Sequence, residues 1–269
     1  SIVGGSIVGT LFGQGQNCTV SGITLKNCTV EGGAYVGGIF GACTTSTVAN
    51  CVNDGSVNAS GSYTGGIVGV FDGSIERALF TGSVDAQDWV GGIAGTIYGH
   101  AYYCTNTGSI SGTKTVGGIA GELSYSQNSR DVNYCYNNGS VKGGTEVGGI
   151  AGYALSSQNF STGARITGAA NAGSVSGSGS YVGGIIGDSS CNVFIVTSYN
   201  IGNIYANSFV GGIAGRYNPI RQYTSGVSGV YNAGKVSKDG GGLIGIIYAT
   251  LITNSFYRKD KSESIVGIK

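Results

Sequence analysis

The chain of 269 residues has no methionine, one proline and one histidine, and only 10% of its residues are charged. The absence of Met leads us to expect an internal or processed segment of a longer protein. With a single His and no Cys-x-x-Cys pair, we expect no metal site and no cofactor. The net charge of +1 gives no reason to expect nucleic acid as a partner. No apolar run approaches the roughly 20 residues of a membrane-spanning helix, so we expect no direct membrane insertion of this segment.

Glycine, in contrast, is abundant, with 53 residues. Glycine at this frequency without a three-residue period excludes collagen, and a hydrophobic content of 41% argues against disorder. Much of it belongs to a hexapeptide that begins every 26 to 35 residues. The copies are Val36–Gly41, Thr64–Gly69, Val90–Gly95, Val116–Gly121, Val147–Gly152, Val182–Gly187 and Val210–Gly215, with degenerate copies at Val8–Gly13 and Gly240–Gly245. A period of this size predicts a stack of similar units, each contacting mainly its neighbours.

A second phrase alternates with the hexapeptide. Its copies are Cys51–Val57, Cys104–Ile110, Cys135–Val141, Ala169–Val175, Ser198–Ile204 and Val230–Val236. Residues 78–84 match if Thr81 takes the place of the Asn. Short stretches rich in Val, Ile and Tyr separate these turn signals, and glycine is unfavourable in helix interiors. We therefore predict about three short strands per repeat: one after Gly-Ser-Val, one carrying the hexapeptide and one leading into the Asn-x-Gly turn.

Strands that stack in register from repeat to repeat form parallel sheets around a narrow core. We predict an all-β fold, a parallel β-helix (β-solenoid) of about nine coils of 26–35 residues, with the right-handed winding usual for parallel crossovers. The repeats follow one another without a linker, so residues 1–269 are expected to form one domain. Residues 1–30 are expected to be an irregular N-terminal coil, and the charged residues 258–269 a cap or a linker.

One Asn of the second phrase precedes a Gly by two residues in most repeats. These residues are Asn53, Asn106, Asn137, Asn171, Asn200 and Asn232. Asn tolerates left-handed turn geometry, and identical amides stacked along an axis can bond to one another. We interpret the column as structural; the alternative is a row of ligand-binding amides.

Seven Cys leave at least one thiol without an internal partner. Cys104 and Cys135 occupy the same position in consecutive repeats, where a separation of about 4.8 Å is compatible with a disulfide. The same position is read as Leu79, Ala169, Ser198 and Val230 in other repeats. A position that accepts these residues favours small buried side chains, so we prefer buried thiols over a bridge.

The two phrases together resemble the GLUG-motif repeat family. The resemblance is carried by the Gly-Gly-Ile-Ala-Gly cores at 91–95, 117–121, 148–152 and 211–215 and the Tyr-Asn-x-Gly turns at 136–139, 199–202 and 231–234, and it covers roughly residues 8–257. It implies a module of a large secreted or wall-associated bacterial protein, as in adhesins and some immunoglobulin A peptidases, with a supporting or adhesive role. It transfers no catalytic residues. The first repeat departs from the pattern, because Asn-Cys-Thr-Val occurs at both 17–20 and 27–30.

The segment between hexapeptide and turn phrase varies in length, whereas the segment from the turn to the next hexapeptide hardly changes. All insertions should therefore leave the coil at one edge, and such an edge is often the binding face of a repeat protein. Candidate ligand-binding residues there are Tyr125, Arg130, Asn159, Phe160, Arg165, Arg216, Tyr217, Arg221 and Tyr223. The alternative is that these loops are polar only because they are solvated.

An aromatic column precedes the hexapeptides. It comprises Tyr35, Tyr63, Trp89, Tyr181 and Phe209, and Thr115 and Glu146 interrupt it. Strand alternation places these rings outside if the following Val points inward. We prefer the interpretation that the rings stack and shield the sheet; the alternative is a stripe that binds carbohydrate or a partner protein.

Catalysis has little support in the sequence. The 13 acidic residues are scattered, although Glu122, Asp131 and Glu146 are candidates to converge near the first long loop. His100 is expected in an exposed turn. We therefore predict a non-catalytic module at the cell surface or outside the cell, which serves as an adhesive, ligand-binding surface or a rigid stalk. Its partners would be a host protein or a glycan, and other domains of the same polypeptide. The alternative is a carbohydrate-active β-helix enzyme, a polysaccharide lyase or hydrolase, or its sugar-binding accessory domain.

Overall fold

The computed structural model describes residues 1–124, 130–155, 163–190, 192–219, 225–237, 239–248, 251–262 and 264–268. Within these residues every regular element is a short strand, and all strand pairs are parallel. The predicted parallel β-helix is confirmed. It has about eight turns, with eight strands in two of its sheets and nine in a third. None of the described residues form a helix that could cross a membrane.

The strands form five ladders along the axis, each made of equivalent strands from successive turns. Ladder 1 comprises Ile2–Val3, Thr29–Gly32, Ser56–Ala59, Ser83–Asp85, Ser109–Ser111, Val141–Gly143, Val175–Gly177 and Ile204–Tyr205. Ladder 2 comprises Val8–Gly9, Val36–Gly37, Thr64–Gly65, Asp88–Gly91, Lys114–Gly117, Thr145–Gly148, Ser180–Gly183 and Ser208–Gly211. Ladder 5 comprises Thr24–Leu25, Val52–Asn53, Leu79–Phe80, Thr105–Asn106, Tyr136–Asn137, Ala170–Asn171, Tyr199–Asn200, Tyr231–Asn232 and Phe256–Tyr257.

Ladders 3 and 4 lie between ladders 2 and 5 and share two long strands. Ladder 3 comprises Phe12–Gln16, Phe40–Ala49, Val68–Glu76, Ala94–Ile97, Ala120–Leu123, Ala151–Ala154, Ile186–Ser189, Ala214–Tyr217, Ile244–Ile247 and Val266–Ile268. Ladder 4 contains the second halves of Phe40–Ala49 and Val68–Glu76, and in addition Thr19–Ser21, His100–Tyr102, Arg130–Asn133, Ala164–Thr167, Val193–Val196, Gly226–Ser228 and Ile252–Thr253.

Equivalent residues of successive turns lie directly over one another. The amide of Ile93 donates to the carbonyl of Ile119, and the amide of Ile119 donates to that of Ile150, both at 3.0 Å. The three side chains are fully buried. Each turn therefore completes the backbone hydrogen bonding of its neighbour, which a buried, glycine-rich chain requires.

The hexapeptide is a corner rather than a strand. Val90 and Gly91 end a strand of ladder 2, and Ala94 begins a strand of ladder 3. A Cβ on Gly92 would lie 2.7 Å from Cγ of Asn106 and closer still to the carbonyl oxygen of Gly118. Glycine is needed here because other chain segments approach closely, so the prediction of one strand through the hexapeptide is wrong.

Positive φ at the corners occurs mainly at residues other than glycine. The residue before each hexapeptide has a φ between 51° and 65°, and these residues are Ile7, Tyr35, Tyr63, Trp89, Thr115, Glu146, Tyr181, Phe209 and Asp239. A bulky residue in this region carries strain of roughly 1–2 kcal/mol. The side-chain contacts of the column must offset that strain.

Both ends of the chain join the solenoid. Residues 2–25 contribute one strand to each of the five ladders, and Thr29–Gly32 begins the next turn, so the expectation of an irregular first coil is wrong. The repeated Asn-Cys-Thr-Val marks two corners of similar geometry, because Asn17 and Asn27 have φ of 52° and 51°. In the charged C-terminal segment, Val266–Ile268 pairs with Ile244–Ile247 and extends ladder 3 by one strand.

Candidate functional site

The Asn column is an internal structural row. Side-chain amides of Asn106, Asn137, Asn171, Asn200 and Asn232 each bond to the next at 2.7 to 2.8 Å. All five side chains are fully buried, so they cannot reach a ligand outside the shaft.

Asn53 lies apart from this row. Its Nδ2 donates to the carbonyl of Gly66 at 2.7 Å. The register pairs Phe80 with both Asn53 and Asn106, so Phe80, and not Thr81, occupies the Asn position of that repeat. The apolar ring interrupts the row because it has no group to continue the amide bonds.

The same register shows that Ala78, and not Leu79, occupies the position equivalent to Cys104. Leu79 pairs with Thr105, which places Ala78 beside Cys104. The Cys104 thiol donates to the carbonyl oxygens of Ile75 and Tyr102, and both Cys104 and Cys135 are free thiols. Burial raises the pKa of Cys135 well above its ordinary value, so this thiol stays protonated at neutral pH.

The aromatic column consists of two stacks. Ring centroids are 4.8 Å apart for Tyr35 and Tyr63, 4.7 Å for Tyr63 and Trp89, and 5.3 Å for Tyr181 and Phe209. Within each stack the facing ring surfaces cover one another, so only the end faces and the ring edges are left uncovered by stacking. This arrangement agrees with shielding better than with a stripe of free platforms.

The interruption of the column is polar. Thr115 Oγ1 donates to Glu146 Oε2 at 2.6 Å, and Lys114 Nζ lies 3.6 Å from Glu146 Oε1. Glu122 is buried in ladder 3, whereas Asp131 lies in ladder 4 and faces His100. The suggested convergence of all three carboxylates is therefore wrong, because Asp131 belongs to another face.

Arg216 and Tyr217 lie in a strand of ladder 3 and not in a loop. The Arg216 guanidinium binds both oxygens of buried Asp188 and lies 4.2 Å from the ring centre of Tyr181. Burial raises the pKa of Asp188 and Arg216 opposes that rise, while the same hydrogen bonds raise the pKa of Arg216. Tyr217 is fully buried and its hydroxyl donates to the carbonyl of Val193, so its assignment to a ligand-binding surface is wrong.

The insertions share one edge. Strands of ladder 3 end at Leu123, Ala154 and Tyr217, and the chain resumes in ladder 4 or just before it. Of the predicted loop residues, Arg130 begins a strand of ladder 4 and Arg165 lies exposed in the next. The others lie outside the described residues: Tyr125, Asn159, Phe160, Arg221 and Tyr223.

A row of polar, charged and aromatic side chains on ladder 4 adjoins this edge. Its members are Ser74, His100, Asp131, Arg165 and Phe194, stacked in successive turns. His100 Nδ1 lies 3.7 Å from Asp131 Oδ2, and the Arg165 guanidinium lies 5.0 Å from the ring centre of Phe194. His100 begins the strand His100–Tyr102, so the expectation that it lies in an exposed turn is wrong. We call this set the ladder-4 row.

The ladder-4 row was missed in the sequence because insertions of different length separate its members. A signal does exist. His100, Asp131, Arg165 and Phe194 each precede the Asn of the following turn phrase by six residues. Alignment on that Asn, rather than on the hexapeptide, would have found the row.

Comparison with known proteins identifies the class as a parallel β-helix protein. No family model matches the chain, and no curated protein matches it. A solved structure described as a candidate immunoglobulin A1 protease from Bacteroides ovatus is similar, with a TM-score of 0.52 and 20% sequence identity over 89% of this chain. The chain spans 66% of the length of that protein. At this identity the likeness shows the fold alone.

Proposed function

We propose that this chain is a non-catalytic repeat module of a secreted or surface-bound bacterial protein, of the GLUG-motif type. It acts as a rigid shaft that presents a ligand-binding edge to a host protein or glycan. Other domains of the same polypeptide would use the shaft as a spacer. The observation that carries the proposal is the confinement of all long insertions to the edge between ladders 3 and 4.

That edge suits recognition because the rest of the shaft is uniform. The other ladders keep direct register from turn to turn, and the Asn row and the stacked rings join successive turns. Insertions in surface loops of such a scaffold lower its stability little. Side chains that a rigid frame already holds in place lose less conformational entropy when a ligand binds.

An extracellular location is supported by the resemblance and by the fold likeness. The similar solved protein is described as acting on immunoglobulin A1, which is an extracellular protein. Immunoglobulin A1 is therefore a sensible first host-protein probe for this chain.

The alternative function, a carbohydrate-active enzyme, is favoured by one observation. Glu122, Glu146 and Asp188 lie on neighbouring turns of one side of the solenoid. Two of these carboxylates are engaged, however: Asp188 with Arg216, and Glu146 with Thr115 and Lys114. Carboxylates held in this way are poor candidates for the general acid or the general base of a glycosidase, which must exchange a proton with the substrate or with water.

The test uses the whole chain on a glycan array and on immobilised immunoglobulin A1. A variant with residues 125–129, 156–162 and 220–224 replaced by short Gly-Asn turns removes the insertions and keeps the ladders. Lys142→Gln, which changes a charge on ladder 1, is the matched control. We expect binding to survive in the control and to disappear in the shortened variant. Unchanged binding after shortening contradicts the proposal, and release of reducing ends from a polysaccharide favours the enzyme.

A further inference from the structure

The ladder-4 row combines charges of both signs on one outward face. Asp131 follows His100 by one turn and Arg165 follows Asp131 by one turn, at a spacing of about 4.8 Å. Glu76 lies beside the row, where its Oε1 accepts from Ser74 at 3.0 Å, and Arg77 lies 3.7 Å from its Oε2. Two carboxylates and two guanidinium groups thus leave the face close to neutral.

Two polar atoms of this face, His100 Nδ1 and Asp131 Oδ1, have no hydrogen-bond partner among the described residues. Their side chains keep 28% and 19% of their surface exposed, so the other polar atoms of the pair can be reached from outside. The 3.7 Å between the His100 and Asp131 side chains exceeds a hydrogen bond. The Arg165 guanidinium lies over the Phe194 ring, on the turn opposite to that of Asp131. Buried polar atoms of native proteins are normally paired, and an exception calls for an explanation such as an ordered water, an ion or another bound group.

The charged groups of the ladder-4 row limit the chemistry of a ligand that can bind to them. Asp131 accepts hydrogen bonds and Arg165 donates them. An anion would be repelled by Asp131 and Glu76, and a cation would be repelled by Arg165 and Arg77. A hydroxyl group both donates and accepts, and neighbouring hydroxyls on one ring can serve a carboxylate and a guanidinium together.

Aromatic rings lie on the same face. The Tyr102 ring stacks on His100 at 5.7 Å between centroids. At the adjoining corner Tyr103 and Tyr134 stack at 5.3 Å and are 52% and 55% exposed. Exposed aromatic surface beside precisely oriented polar groups is the composition of a site for a ligand that is part apolar and part polar.

We propose that the ladder-4 row, centred on His100, Asp131 and Arg165, is a binding site for a neutral saccharide. The site adjoins the insertion edge, so the proposal rests on the function proposed above and names its ligand class and its residues. Asp131 and Arg165 bind ring hydroxyls, and the exposed edges of the stacked Tyr103 and Tyr134 rings contact the apolar parts of the sugar.

The test measures binding of defined oligosaccharides to the whole chain by titration calorimetry. The neutral probes are cellotetraose, maltotetraose and triacetylchitotriose; trigalacturonate is the anionic probe and chitosan trimer the cationic one. We expect at least one neutral probe to bind and the charged probes to bind less well. Asp131→Asn and Arg165→Met should each weaken the neutral complex by about tenfold or more, since each leaves a ligand hydroxyl unpaired.

Two controls separate the possible outcomes. Lys142→Gln on ladder 1 should bind as the parent does, and circular dichroism should show both site variants folded, since their side chains point outward. Failure of every neutral probe to bind, or unchanged affinity in Asp131→Asn and Arg165→Met, overturns the saccharide site. Loss of binding only in the shortened-loop variant overturns this site and leaves the proposed function standing.

Discussion

The buried Asn row allows a quantitative prediction about the stability of the shaft. Asn171 lies at its centre. Its Nδ2 donates to Asn200 Oδ1 at 2.7 Å and to the carbonyl of Gly173 at 2.9 Å, and its Oδ1 accepts from Asn137 Nδ2 at 2.7 Å. Asn171→Ala removes these bonds and leaves polar groups of two neighbours buried in a dry core.

The magnitude follows from the partners that remain. Asn137 Nδ2 keeps its hydrogen bond to the carbonyl of Gly139 at 3.1 Å, so it loses only one of its two acceptors. Asn200 Oδ1 loses its bond from Asn171. An unsatisfied buried group costs about 1–3 kcal/mol and a lost hydrogen bond about 1 kcal/mol. We expect Asn171→Ala to lower the free energy of unfolding by about 2–5 kcal/mol.

A double-mutant cycle distinguishes the row from three independent local bonds. Guanidinium unfolding is followed by circular dichroism, with the denaturant slope checked for each variant. Asn171→Ala with Asn200→Ala should show a coupling of about 0.5–3 kcal/mol, because the second change removes a group already deprived of its partner. Asn171→Ala with Asn53→Ala should be additive within about 0.5 kcal/mol, since Phe80 separates Asn53 from the row. An additive first cycle would refute the axial amide bonding.

Three further predictions concern the core and the corners. Arg216→Met leaves the buried Asp188 carboxylate without the guanidinium that pairs with it, and should lower the free energy of unfolding by about 3–5 kcal/mol. Adding Asp188→Asn removes the unpaired charge and should restore part of the lost stability, as measured by denaturant titration. Gly92→Ala should prevent folding or lower the melting temperature sharply, and Gly5→Ala, where a Cβ meets no atom within 4 Å, should change neither. Burial raises the pKa of Cys43 to about 12, so at pH 8 its thiol should react with Ellman's reagent only after denaturation, while rapid reaction of the folded protein would contradict its burial.

Much of the fold could be predicted because the two phrases recur along the sequence every 26 to 35 residues. The hexapeptide and the turn phrase return together, and stacking in register is the arrangement that pairs every backbone group of such a chain. The buried Asn and Ile positions follow from the same period. The strand count per turn did not follow, because the hexapeptide looks like an apolar strand and is a corner whose glycines are required by close contacts from neighbouring segments.

The candidate site depended more on tertiary structure. Sequence spacing identified Arg165 and the insertion edge, yet Tyr217 turned out to be buried and Arg216 to be paired with Asp188 from the preceding turn. Residues in neighbouring turns are about 30 positions apart, and a shift of one residue in a strand exchanges an inward side chain for an outward one.

Sequence alone therefore determined the β-solenoid, its repeat and the edge that carries the insertions, since these depend on patterns that recur along the chain. Tertiary structure alone decided which side chains meet across turns, such as His100 with Asp131 and Arg216 with Asp188. The physical reason is that these contacts depend on axial register and side-chain direction, and insertions of unequal length conceal both in the linear sequence.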